Sequence, residues 1–587
     1  MMLINQTKLT EDMDYASRWR FLLVALIAAM IGLVGRAVDL QVLDRQFLQH
    51  EGDMRHVRVI PVPAHRGRII DRNGELLAIS TPVKSVWVNP KEFEASEQEL
   101  KAVGEVLGLP VKDIRTRVAD PSRGFAYLKR RISPELADQA IALRIPGLYA
   151  DREYRRYYPA GEVTSHLLGF NNIDDHGQEG MELAYNDWLR GVPGSKRIIR
   201  DGQRRIIEDV ENVRPPVPGK DLALSIDQRL QYLAYRELKK AVMHHQAKSG
   251  SLVLLDAQNG EVLAMVNQPS FNPNSRLKLN GGVSRNRAIT DVFEPGSTVK
   301  PFLVACALEL GLVRPDTIID TTPGQMHVGR NVVRDVHNYG VLDVAHILQK
   351  SSNVGVTKIA LSLPSNKFWA FYNNLGFGQP LDTGFPGEAS GTLSDHQGWN
   401  SFEQATLSFG YGLSASTLQL GRAYLALANE GVMPMVGLLK RDKPVESHRI
   451  MSARTAISVR TMLEQVVTRE GTALKAEVPG FRVAGKTGTV KKTGANGYEK
   501  ASYLSVFAGM APASKPKLVM VVMIDEPSAG EYYGGAVAAP VFSSVMEGAL
   551  RLLNIEPDKD EGPALITAQQ GEAAGRTPQL ARQDGSI

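Results

Sequence analysis

A hydroxyl that could attack, a lysine that could take its proton and groups that could hold a peptide end fall in a fixed order along this chain of 587 residues. They lie in Ser297-Thr298-Val299-Lys300, Ser351-Ser352-Asn353 and Lys486-Thr487-Gly488-Thr489. A serine is a weak nucleophile until a neighbouring base removes its proton. The run from Ser297, STVKPFLVACALEL, reads as an apolar helix, with Pro301 close enough to its start to be tolerated. Unpaired N–H groups and the positive end of the dipole at that start can stabilise an oxyanion. Lys300, three residues on, shares a face with Ser297 at roughly 5–6 Å between Cβ atoms. It is a base only when neutral, so burial or a second cation must depress its pKa. S-x-x-K alone means little, since Ser514-Lys515-Pro516-Lys517 also satisfies it with a proline inside. The order of the three motifs carries the argument.

The second motif follows Val341–Lys350, an apolar-periodic run that reads as a helix ending in a polar loop. In an extended loop Ser351 and Asn353 project the same way, the hydroxyl to relay a proton to a leaving amine and the amide to hold a peptide group. Alone, Ser-Ser-Asn is ordinary loop chemistry. The third motif follows the strand-like Phe481–Ala484. Gly488 lets substrate approach the strand edge, and Lys486 with the hydroxyls of Thr487 and Thr489 would bind a carboxylate. Two rival patterns lack their context. Gly480 to Thr487 fits the P-loop spacing, but Pro479 precedes it and Lys491-Lys492-Thr493-Gly494, not a helix, follows. Gly410-Tyr411-Gly412-Leu413-Ser414-Ala415 mimics a dinucleotide fingerprint without a βαβ frame.

The elements that must position these residues come from a chain that is 43% hydrophobic, enough for two or three domains with cores of their own. A net charge of +5 with no basic stripe among aromatics argues against nucleic acid. The single cysteine, Cys306, reads as a core residue and excludes a disulfide within the chain. No Cys/His spacing suggests a metal, no cofactor is expected, and His244-His245 reads as surface. Phe21–Gly35 is uninterrupted apolar sequence between Arg18, Arg20 and Arg36. With Trp19, a snorkelling Arg36 and Ala37-Val38 it approaches the roughly 20 residues a bilayer needs. Arg36 to Leu40 is a poor cleavage site, so an uncleaved anchor over 21–41 is expected. Lys8, Arg18 and Arg20 place residues 1–20 in the cytoplasm and the rest outside.

Residues 42–225 mix short strands with turns, including Asn73-Gly74 within HRGRIIDRNGELLA and the block GQEGME at 177–182. Pro215-Pro216-Val217-Pro218-Gly219 marks a joint to a second domain over 226–555. There Ser251–Asp256 and Glu261–Asn267 form a hairpin, Leu504–Ala511 and Leu518–Asp525 add strands, and Val541–Leu553 is a helix. Strands at both ends with helices between imply an α+β layered fold. Residues 556–587, poor in large apolar side chains, read as a disordered tail.

With anchor, R-G-x-x-x-D-R-N-G block, G-x-E-G-M-E block and all three motifs in place, the chain resembles the class B penicillin-binding proteins over nearly its whole length. Its length, Phe409–Ser414 and Tyr533-Gly534-Gly535 are most similar to the division-specific transpeptidases of Gram-negative bacteria. The resemblance implies a pedestal over 42–225 and a transpeptidase domain with an antiparallel sheet flanked by helices. It implies Ser297 as nucleophile attacking wall pentapeptide strands made from a lipid-linked precursor, Lys300 as base, and Ser351 and Lys486 as proton carriers. Asn353 would orient the peptide, Lys486, Thr487 and Thr489 would hold its carboxylate beside Gly488, and Tyr411 would line the cleft. The N–H groups of Ser297 and Thr489 would form the oxyanion hole, and β-lactams would acylate Ser297. A polytopic glycosyltransferase and other division proteins are the implied partners, in the inner membrane with the catalytic domain in the periplasm. An elongation-specific relative and a non-enzymatic β-lactam sensor are the alternatives. Ser-Ser-Asn in place of Ser-Asp-Asn, and no E-x-x-L-N segment, argue against a β-lactamase.

Overall fold

The computed structural model describes residues 5–43, 45, 57–200, 206–275, 282–443, 445–494 and 497–559. Its first element is the helix Asn5–Val38, continued by a wider turn over Asp39–Leu43. The span of 27 residues Ser17–Leu43 contains an 18-residue window with a mean hydropathy of 2.4 that is 0% buried by the rest of the molecule. Leu22, Leu26 and Leu33 are 64%, 68% and 71% exposed, a cost that a bilayer removes and water does not.

In the pedestal the long strand Leu76–Val88 pairs antiparallel with Ala126–Ile132 and with Leu148–Tyr157. Val86, Val88, Leu128 and Leu148 bury one face against Leu100, Val103 and Leu107 of the helix Glu97–Leu107 and Ala137 and Ala140 of Pro134–Ala142. Ser96 and Glu99 form a reciprocal capping box at the first helix, which Gly108 ends in the left-handed conformation. The Asn73-Gly74 turn joins Ile69–Ile70 to Leu76–Val88 as its dipeptide predicts. Asp71 closes that turn by accepting from Asn73 N at 2.7 Å and Glu75 N at 2.9 Å. It also accepts from Gln228 N at 3.0 Å, at the start of the second domain's first long helix, Gln228–His244. The two distinctive blocks meet in the interior: Arg66 Nε donates to Glu182 Oε2 at 2.9 Å and Arg156 Nε to Glu182 Oε1 at 2.6 Å.

The second domain is built on a five-stranded antiparallel sheet, in the order Val262–Gln268, Ser249–Asp256, Leu518–Asp525, Gly497–Ala511, Ala484–Gly494. Both faces are covered, so the central strands are apolar throughout and do not alternate. Gln228–His244 and Ala539–Leu552 pack on one face, Thr417–Ala428 on the other, with Lys300–Glu309 and Ala453–Glu464 beside it. The strand expected from Leu504 begins at Gly497. Its partner runs on through Lys491-Lys492-Thr493-Gly494, which is no helix, as expected, and forms a polar strand at the sheet edge. His244 is exposed as expected, but His245 is buried, folded under the loop whose Ser528 and Ala529 N–H groups bond its carbonyl. Cys306 is buried, and burial pushes its thiol up to about 12. Of the expected tail, Glu556–Lys559 are described, with Asp558 accepting from Arg482 N at 2.7 Å and Ser514 N at 3.0 Å. The remainder lies outside the described residues.

Candidate active site

Ser297 sits in a tight 3₁₀ turn, Gly296–Val299, and the α-helix begins only at Lys300. Pro301 explains the difference from the expected helix. It has no N–H for the Ser297 carbonyl, which instead accepts from Lys300 N one residue earlier. Gly410 backs this turn: a side chain there would place its Cβ 2.1 Å from the Gly296 carbonyl oxygen, and Gly296 N donates to Gly410 O at 3.1 Å. Glu294 accepts from Gly412 N at 2.9 Å. The glycine-rich run at 410–415 is thus a buttress for the turn that carries Ser297. Among the described residues the half-buried Ser297 hydroxyl makes no hydrogen bond.

Lys300 Nζ reaches the second motif, donating to Ser351 O at 2.6 Å and Asn353 Oδ1 at 2.7 Å and lying 3.2 Å from Ser351 Oγ. Lys486 Nζ approaches the same Ser351 Oγ from the other side, at 2.9 Å. Both lysines are fully buried. Burial, then repulsion from Lys486, hold Lys300 well below the ordinary lysine value, with the charge of Asp335 opposing the shift. Burial brings Lys486 down to about 7. A neutral Lys300 offers a lone pair, so Ser351 can donate to it while accepting from Lys486, a relay across one hydroxyl.

The loop between these lysines is not extended. Ser351 ends the helix Val344–Lys350 in the left-handed region, φ +60°, and Ser352 caps the next helix, Asn353–Ser362, by accepting from Gly355 N at 2.9 Å. A non-glycine residue held there costs of order 1 kcal/mol or more, and such strain clusters at functional sites. The Asn353 amide is turned onto the protein, Oδ1 to Lys300 and Nδ2 to Arg334 O at 2.9 Å, leaving one amide hydrogen for a ligand.

On the motif strand Lys486 and Thr487 are buried and Thr489 half-buried, with Thr489 Oγ1 accepting from Gly534 N at 3.0 Å. The space a Gly488 side chain would occupy is bounded by Thr298 Cγ2 at 3.0 Å and Pro295 O at 3.1 Å. The missing side chain admits the Ser297 turn, where the sequence suggested room for substrate. Tyr411 stacks edge-on with Phe409 at 5.9 Å, and its hydroxyl, raised by burial, meets the Lys491 backbone of that strand. Tyr503 of the neighbouring strand stacks on Tyr532 at 4.2 Å, and Tyr532 on Tyr533 at 4.6 Å, the last two in the loop after Leu518–Asp525 and Tyr533 53% exposed.

The model of the penicillin-binding protein transpeptidase domain matches residues 250–547, and that of the penicillin-binding protein dimerisation domain residues 61–224. The chain is a class B penicillin-binding protein. It is 44% identical to the peptidoglycan D,D-transpeptidase FtsI of Escherichia coli over 562 residues, 94% of each chain. It is 40% identical to the probable peptidoglycan D,D-transpeptidase PenA of Neisseria meningitidis, over 95% of this chain and 96% of that one. The solved transpeptidase domain of Burkholderia pseudomallei penicillin-binding protein 3 aligns with a TM-score of 0.54 at 43% identity, covering 57% of this chain and 98% of that one. A peptidoglycan synthetase from Bifidobacterium adolescentis shares the fold, with a TM-score of 0.69 at 24% identity over 86% of this chain and 99% of that one.

Sequence reasoning missed the residues that hold this candidate site from outside its motifs. Asp335, after the hairpin Gln325–Val328/Asn331–Arg334, accepts from Ser352 Oγ at 2.6 Å, from Asn353 N, and from Val354 N at 3.0 Å. A carboxylate at a helix N-terminus satisfies orphan donors and favours the dipole. Fully buried Tyr424 and Tyr372 donate to the carbonyls of Thr298 and Val299 at 2.8 and 3.3 Å, pinning the Ser297 turn from below. No local pattern marks these residues.

Proposed function

We propose that this penicillin-binding protein is a membrane-anchored peptidoglycan D,D-transpeptidase of the division septum, with its catalytic domain in the periplasm. The observation that carries the reading is the meeting of two buried lysines on one serine hydroxyl, Ser351, beside the turn that holds Ser297. Neutral Lys300 takes the proton of Ser297 as its Oγ attacks the penultimate D-alanine carbonyl. The backbone N–H groups of Ser297 and Thr489 stabilise the oxyanion. As the C–N bond breaks, the leaving amine takes a proton from Ser351, which Lys486 resupplies, and terminal D-alanine departs. The amine of a neighbouring strand then attacks the ester, forms the cross-link and restores Ser297. Lys486, Thr487 and Thr489 bind the donor's terminal carboxylate, and Asn353 orients its peptide. A β-lactam enters the same path but has no leaving group that can depart.

The names of the FtsI relatives support the septal assignment over an elongation role, and one long apolar helix among the described residues supports an anchor over a multi-helix sensor. Arg18 and Arg20 ahead of that helix favour a cytoplasmic N-terminus, and the helix is the surface offered to a polytopic glycosyltransferase. Intact mass of the full chain in detergent after benzylpenicillin tests the chemistry. A persistent single adduct, absent in Ser297→Ala, is expected, followed by transfer from a pentapeptide donor to an amine acceptor. An adduct that vanishes as drug is consumed means a β-lactamase, and no adduct refutes the site. Depletion in cells tests the role, with filaments expected and round cells pointing to elongation.

A further inference from the structure

Two hydroxyls of the third motif face the same task and are prepared for it in the same way. To bind an anion a hydroxyl must donate, and it has one proton and two lone pairs. If a lone pair points at the carboxylate, the contact is repulsive. At Thr489 the protein fills a lone pair from behind, since Gly534 N donates to its Oγ1 at 3.0 Å. Thr487 Oγ1 lies 3.5 Å from Lys486 Nζ and 2.8 Å from Thr472 Oγ1, on a loop outside all three motifs.

The Thr472 loop is fastened to the site at several points. Lys350 Nζ, next to Ser351, donates to Glu470 O at 2.7 Å, and Gly471 N donates to Thr468 O at 3.1 Å. A side chain at Gly535 would bring its Cβ to 2.1 Å from the Thr472 carbonyl. The Gly534-Gly535 turn therefore serves both hydroxyls, donating to Thr489 and packing closely on the backbone of Thr472. Thr472 itself is exposed at the rim, while Thr487 is buried.

The geometry points to Thr472 as a positioning residue that donates its hydroxyl proton to Thr487 Oγ1 and so turns the Thr487 proton into the cleft, toward the carboxylate of the donor peptide or β-lactam. With Lys486 approaching the second lone pair, the proton is what Thr487 has left to offer. This rests on the reading above that Thr487 binds the substrate carboxylate. Thr472 acts on binding of the anionic end and leaves the acylation step to Lys300 and Ser351.

The test is the acylation of the full-length protein by benzylpenicillin, resolved into a limiting rate and a half-saturating concentration, for Thr472→Val, Thr472→Ser, Thr487→Val and the Thr472→Val/Thr487→Val pair. Valine keeps the shape of threonine and cannot donate. Thr472→Val is expected to raise the half-saturating concentration about tenfold, the scale of one hydrogen bond, with the limiting rate unchanged. Thr472→Ser, which keeps the donor, is expected to stay close to wild type. In the Thr487→Val background Thr472→Val is expected to add nothing, because its effect runs through that hydroxyl. An equal loss in both backgrounds overturns the proposal, as does a fall in limiting rate at unchanged half-saturation. If Thr487→Val alone leaves acylation intact, the carboxylate reading itself fails and takes this one with it.

Discussion

The pedestal and the catalytic cleft each bury two cationic side chains completely, and they treat them in opposite ways. Arg66 and Arg156 share the carboxylate of Glu182, with Arg66 Nη2–Oε2 at 2.8 Å and Arg156 Nε–Oε1 at 2.6 Å, and every partner is at most 1% exposed. Backbone carbonyls take further donors, Asp175 O at 3.1 Å from Arg66 and Gly67 O at 2.7 Å from Arg156. An arginine keeps its charge in proteins, so a buried one must be matched. Among the described residues Lys300 and Lys486 have no such carboxylate between them, only a hydroxyl, an amide and carbonyls. A lysine so placed can shed its proton instead, and one that has is a base. The same physics yields a structural clamp where the cation is compensated and a reactive group where it is not.

Removing the compensation breaks the first half of this contrast, and its effect is the largest expected. Glu182→Ala leaves two guanidinium groups buried without a counter-charge, which costs about 3–5 kcal/mol. The cluster joins residues 66–67 to 156 and 182, so the pedestal is expected to lose its cooperative unfolding transition in differential scanning calorimetry. Retention of wild-type stability would mean that water or local rearrangement reaches the arginines.

Relieving the cleft acts in the other direction. Lys486→Met removes a buried amine and is expected to stabilise the protein by about 2 kcal/mol near neutral pH while greatly slowing acylation. The pH dependence follows from the depressed pKa. With its folded-state value at about 7, Lys486 binds fewer protons folded than unfolded at any pH between that value and the unfolded value of about 10.4. Its penalty is full below about 7 and fades as pH approaches the unfolded value, so the stability gap between variant and wild type should narrow steadily from pH 7 to 10. Chemical denaturation across that range measures it. A constant gap would mean that Lys486 stays protonated.

Which parts of this contrast are legible in the sequence depends on how far apart the partners lie. The three motifs are contiguous, and their helix, loop and strand contexts follow from local periodicity. The Ser251–Asp256 hairpin and the Asn73-Gly74 turn are local too. Arg66 and Glu182 are 116 positions apart, and nothing in either neighbourhood announces that one neutralises the other. Lys491 to Gly494 could be told only to be no helix, because lysines and glycine are poor strand formers and it is pairing with the neighbouring strand that makes the segment a strand. The left-handed Ser351 and the 3₁₀ turn at Ser297 are backbone choices enforced by the elements around them, though Pro301 carries a trace of the second.

Asp335 sharpens the contrast most finely, because it is the carboxylate that the cleft does possess, held one step away from the lysines. Its oxygens are spent on Ser352 Oγ and the N–H groups of Asn353 and Val354, so it caps a helix and reaches Lys300 only through space, where it raises that group's pKa against burial and against Lys486. Asp335→Asn removes the charge and keeps most of the shape. Lys300 should then lose its proton more readily, and the acid limb of the acylation rate should move to lower pH. The cap is weakened by about 1 kcal/mol, which loosens Ser351 and Asn353 and lowers the plateau rate by up to about tenfold. A pH profile of acylation separates the two effects, since the limb reports the charge and the plateau reports the loop. A limb that stays in place while the plateau falls would make Asp335 purely a cap, with no charge effect opposing the burial and the Lys486 repulsion that lower the pKa of Lys300.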